Sequence, residues 1–144
     1  NLLDKIGGFS ESKEMVTAED FDLWLKLSKE KARFHFCSEV MTKYRVHDNN
    51  SSSSTVPHMN ASLAVLQKHY LTLSSKKLLN RLLYRRIVAV QYYGAGRGFQ
   101  KKEDQRNALR YFLKSMVIYP FSLKNTFSLI LMFFSPFRKL KGRI

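Results

Sequence analysis

Carboxylates are scarce in the second part of this chain, and cysteine is nearly absent throughout. The 144 residues contain one cysteine, Cys37. A lone cysteine excludes an intrachain disulfide and any metal centre built from cysteines, and it fits a reducing compartment. Between residues 57 and 144 the only acids are Glu103 and Asp104, against seventeen Lys and Arg. Residues 1–56 hold nine Asp and Glu against eight Lys and Arg, so the net charge of +14 arises in the second part. Such asymmetry points to two regions with different tasks. The division falls between residues 1–56 and a basic extension, 57–144, that seeks an anionic partner.

A long apolar run is missing too. The most apolar stretch, 121–134, carries Lys124 and Asn125 near its start and is followed by Pro136. It falls short of the ~20 apolar residues that a membrane-crossing helix requires. Arg138, Lys139, Lys141 and Arg143 follow it. An apolar helix with a basic flank either lies in the membrane interface or packs on a neighbouring helix. There is no internal repeat and no phosphate-binding loop. Gly94-Ala95-Gly96-Arg97-Gly98 follows a helical pattern and no Gly-Lys-Ser/Thr comes after it, so it is expected to connect two helices. No signal peptide is legible in residues 1–10. The chain starts at Asn1 rather than Met, and it is expected to continue on its N-terminal side.

What is present is mostly helical pattern. Thr17 is a candidate N-cap for a helix over 17–28, with Asp20 three residues on, as in a capping box. Phe21, Trp24 and Leu25 share one face, which predicts that Trp24 is core. The apolar-polar alternation in 33–37 and 40–46 predicts two short strands, ending in His47-Asp48-Asn49-Asn50 and four serines. Beyond Pro57 four helices are expected: 58–73, 75–93, one capped by Asp104 and ended by Pro120, and 121–134.

Three pieces in this order carry chemistry: Ile6-Gly7-Gly8-Phe9, then Thr17-Ala18-Glu19-Asp20-Phe21-Asp22-Leu23-Trp24, then Tyr44-Arg45-Val46-His47-Asp48-Asn49-Asn50-Ser51. Paired glycines make a tight turn or let backbone approach closely. Acids in a first helical turn are stabilised by the helix dipole with or without a catalytic task. A histidine after a strand is ordinarily a surface residue.

Taken together, these pieces resemble the C-terminal part of family 2 glycosyltransferases. The resemblance covers about residues 1–56 and implies an α/β fold of GT-A type, of which this chain would hold a part that is mostly α with a short hairpin-like β region. It implies an inverting transfer of sugar from a nucleotide-sugar donor to a glycan or lipid-linked acceptor. In that family the aspartate of the Glu-Asp pair is the base, which maps to Asp20. Glu19 would orient the loop or the acceptor. His47 would help ligate a divalent Mn or Mg ion, Gly7 and Gly8 would lie along the donor sugar or acceptor, and Asn50 and Ser51 would steady the loop of His47. Asp20-Phe21-Asp22 has the spelling of an Asp-x-Asp metal motif but occupies the Glu-Asp slot. The nucleotide-binding half is not in these residues, so they are expected to be inactive alone. The enzyme is expected in the cytoplasm at the inner face of the membrane, with its basic extension on an anionic surface and no nucleic-acid partner. The rival expectation is a basic helical module that binds a membrane or a partner without catalysis.

Overall fold

The computed structural model describes residues 1–43, 54–73 and 77–140, with side chains up to residue 131. It divides into two compact units, 1–72 and 73–144.

The first unit begins with α1 (Leu2–Ile6), capped by Asn1, whose side chain accepts from the Leu3 N–H. A short 3-10 turn (Lys13–Met15) leads into α2 (Glu19–Lys29). α3 (Thr55–Leu71) follows. Pro57 sits in its first turn, where a missing N–H costs no intrahelical bond. The core is small: Met15, Ala18, Ala61 and Val65, flanked by Phe21, Leu25 and Ala64. Alanines at this seam let the chain entering α2 lie close against α3.

The second unit is α4 (Leu78–Lys101), α5 (Gln105–Ile118) and α6 (Leu123–Leu140). Asp104 caps α5 as the sequence suggests, accepting from the Asn107 N–H at 3.0 Å. Its core is Ala108, Phe112 and Leu129, with Tyr93, Phe99, Leu109 and Met116 around it. The Tyr93 and Phe112 rings meet at 5.5 Å between centroids, and Phe99 stacks on Tyr111 at 5.2 Å.

Four expectations need correction. The α/β, GT-A-type fold class is overturned: among the described residues the regular structure is helical throughout, with no strand. Residues 33–37 and 40–43 carry the alternation of a strand but have no sheet to face. Phe36 is 95% exposed and Val40 93%. Two short strands without a third strand or a covering helix bury too little to hold together. Residues 44–46 of the second expected strand lie outside the described residues.

The glycine-rich stretch 94–98 does not break a helix; α4 runs through it to Lys101. A Cβ built on Gly96 would stand 2.6 Å from the Phe112 ring. The glycine therefore serves close helix packing, which here outweighs its poor helix propensity. Thr17 does not cap α2, which starts at Glu19 behind Ala18. Thr17 takes a left-handed backbone, φ 81°, and its hydroxyl pairs with His58 Nδ1 at 3.1 Å. Trp24 is not core but 57% exposed; Asp22 and Leu23 are the buried pair of α2.

Candidate functional site at the start of α2

The three acids at the start of α2 divide sharply by environment. Asp20 is exposed. Its Oδ1 accepts from the Phe21 N–H at 2.7 Å, which leaves Oδ2 to take a proton or a hydrogen bond. Glu19 is half-buried, and its Oε2 is a buried acceptor with no hydrogen-bond donor among the described residues. Asp22 is wholly buried.

Asp22 is the hub of the unit. Its Oδ1 receives Lys68 Nζ at 3.0 Å and lies 2.8 Å from His69 Nε2, both on α3. Its Oδ2 lies 3.0 Å from Lys26 Nζ, one turn on along α2. Burial by itself would raise the Asp22 carboxyl. The hydrogen bonds from Lys26, Lys68 and His69 and the Lys68 charge outweigh it and bring the pKa down to about 2. The carboxylate is therefore fixed as an anion. With both oxygens held by cations it cannot serve as a base, whereas Asp20 is open.

Lys26 extends the network. The same ammonium donates to the Gly8 carbonyl at 3.0 Å. Gly7 and Gly8 both have positive φ, 71° and 59°, and close α1: the Gly8 N–H donates to Leu3 O at 3.1 Å. A Cβ on either glycine would meet nothing within 4 Å. The pair is thus explained by its left-handed turn and not by close approach of the protein's own chain. Positive φ at Thr17 is costlier, because a β-branched residue there is strained. Such strain costs about 1–3 kcal/mol and gathers where a site needs a fixed backbone. Thr17 lies two residues before Glu19, held by His58.

The structure brings Gly8 and Asp22 to one ammonium and sets Glu19 and Asp20 in the first turn beside them. No hydrogen bond links either glycine to Glu19 or Asp20 among the described residues. His47, Asn50 and Ser51 lie outside the described residues. Among the described residues no group of three His, Cys, Asp or Glu side chains is arranged to hold a metal ion. Sequence reasoning missed Lys26, Lys68 and His69, and it met Asp22 only in the spelling Asp20-Phe21-Asp22. The spacing of Asp22 and Lys26, four apart on one helix, was a usable signal. The α3 partners, 46 and 47 residues away, had none.

No family model, no curated protein and no solved structure matches this chain.

Proposed function

We propose that this chain carries the acceptor-activating part of an inverting glycosyltransferase, with Asp20 as the base. In this reading a hydroxyl of a glycan or lipid-linked acceptor lies against Asp20 Oδ2. The hydroxyl oxygen bonds to the anomeric carbon of the donor while the bond from that carbon to the diphosphate breaks. The leaving nucleoside diphosphate takes the electron pair, and the hydroxyl proton passes to Asp20. Glu19 Oε2 accepts a second acceptor hydroxyl and orients it. The donor, and any Mn or Mg ion on its diphosphate, would be bound by residues other than those described here.

The observation that carries the reading is the contrast between the open Asp20 and the clamped Asp22. A base must be accessible and held still. Asp20 is accessible, and the Asp22 network anchors its helix to α3 and to the glycine turn. A purely structural pair of first-turn acids accounts for an exposed Asp20 but not for the buried Glu19 oxygen that has no donor among the described residues. Among the described residues no helix is long and apolar enough to cross a membrane. We place the transfer in the cytoplasm, at the inner membrane face, where lipid-linked acceptors would be reached from the surface.

The test is a transfer assay on the full-length protein with Mn ion and a panel of nucleotide sugars. Removing a general base typically costs about 10²–10⁴ in rate, so Asp20→Asn should lose that much with folding unchanged. Full activity in Asp20→Asn would remove Asp20 from the mechanism. Turnover by these 144 residues alone would show that no separate donor-binding part is needed.

A further inference from the structure

Over residues 123–131, α6 is assembled inside out. Two of its neutral polar side chains face the bundle: Asn125 and Ser128 are buried. Asn125 Nδ2 donates to the Phe112 carbonyl at 3.0 Å, and the Ser128 hydroxyl pairs with Tyr93 Oη at 3.1 Å. Only Leu129 among its neighbours enters the core. The apolar stripe faces out, with Leu123 86% and Phe127 63% exposed and Ile130 and Leu131 also exposed. A helix in water ordinarily turns its apolar stripe inward.

The exposed stripe continues across the unit. A groove of about 480 Å³ joins Arg86 and Val90 of α4 to Phe121, Leu123 and Lys124. A second shares Leu123 and Lys124 and runs on past Thr126 to Phe127 and Ile130. Exposed apolar side chains thus form one tract, with Arg86 and Lys124 set in it.

Charge says what this tract meets. Residues 73–144 hold sixteen Lys and Arg against Glu103 and Asp104. Both acids belong to the α4–α5 connection, about 25 Å along α4 from Arg86 at the helical rise per residue. Asp104 is committed to capping α5. A surface of exposed leucine, isoleucine and phenylalanine with cations, and no nearby carboxylate side chain from its own unit, matches a bilayer interface, where apolar side chains enter the acyl boundary and Lys and Arg meet phosphate. A nucleic-acid backbone would satisfy the cations but gain little from Leu123 or Ile130.

We propose that the outward face of α6 over residues 123–131, with Arg86 and Val90 of α4, docks on an anionic lipid surface and lies in its interface. The inference names the surface that would carry the membrane placement suggested above. It is drawn from the second unit alone and does not depend on sugar transfer.

The experiment is co-sedimentation of the full chain with vesicles of phosphatidylcholine, with and without phosphatidylglycerol, at low and physiological salt. The chain should bind the anionic vesicles, more weakly as salt rises, and should bind the neutral ones poorly. The pair Leu123→Ser with Phe127→Ser touches only exposed positions and should weaken binding about tenfold or more, from the apolar area lost, while far-UV circular dichroism stays unchanged. The pair Arg86→Gln with Lys124→Gln should weaken binding and flatten its salt dependence. Equal binding to both vesicle types, or full binding by the Ser pair, would overturn the proposal. So would a failure to bind vesicles accompanied by a dimer that the Ser pair dissociates, which would assign the tract to a second copy. Capture by duplex DNA but not by vesicles would overturn it as well. Vesicle binding without sugar transfer would support this inference and leave the transferase reading to its own test.

Discussion

The two units solve the burial of polar groups in opposite ways. Residues 1–72 hold nine acids and nine Lys and Arg, and this unit buries a carboxylate, Asp22, among Lys26, Lys68 and His69. Residues 73–144 have sixteen cations and two acids, so their interior has no counter-charge to offer. Its buried polar groups are neutral: Ser115 donates to Ala89 O at 2.7 Å and Asn125 to Phe112 O. The hydrophobic cores differ in the same direction. The first packs alanine, valine and methionine, and the second packs aromatic rings against a helical glycine. Composition therefore decides which kind of polar interior is available.

This comparison can be broken one unit at a time. Trp24 is the only tryptophan, so its fluorescence reports the first unit, while hydrogen exchange resolves both. The largest effect is expected in the second unit. Phe112→Ala should destabilise it by about 3–5 kcal/mol, as for a fully buried aromatic, and leave the Trp24 transition in place. A matching shift of that transition would mean that the two cores are not independent.

Asp22→Ala comes next. It strands three basic groups, but Lys68 is 41% exposed and Lys26 partly so, and both can regain water. The expected cost is about 2–3 kcal/mol, somewhat below that of breaking a wholly buried pair, and it should be confined to the first unit by hydrogen exchange. A neutral outcome would reduce the network to decoration.

Acid should have a similar effect without mutation. The Asp22 pKa is lowered from 3.8 to about 2, so its stabilisation is complete above the unfolded value. It is lost as pH falls through about 4 to about 2, and amounts to about 2 kcal/mol. Monitored by Trp24 emission, wild type should lose this increment and Asp22→Ala should not. Equal acid profiles would contradict the assignment.

Gly96→Ala should cost about 1–2 kcal/mol through overpacking against Phe112, against the sign expected from helix propensity alone. Stabilisation would show that the ring can move aside. Smallest is Trp24→Ser. At a position this exposed, denaturation followed by circular dichroism should move by no more than about 0.5 kcal/mol.

Much of the helical layout was legible because it rests on local signals. The Asp104 cap and the apolar spacing of α3 and α5 depend on residues a turn or two apart. The errors came where a distant partner decides. Alternation at Phe34 and Phe36 specifies a strand only if a sheet lies beside it, and among the described residues none does. Gly96 reads as a breaker until Phe112, sixteen positions on, is seen to fill the place of its side chain. Trp24 fits an apolar stripe, yet α2 turns Asp22 inward because Lys68 and His69 wait on α3. The same long-range pairing separates Asp22 from Asp20 in a run of acids that looks uniform as letters. Accessibility, not residue type, makes Asp20 the candidate base.

The most direct measurement crosses the two acids. Asp20→Asn and Asp22→Asn would be made in the full-length protein, and each assayed for sugar transfer and for unfolding. The account predicts that Asp20→Asn loses at least about a hundredfold in transfer at unchanged stability, while Asp22→Asn loses stability first. Wild-type transfer by Asp20→Asn, in a preparation where wild type turns over, would contradict it.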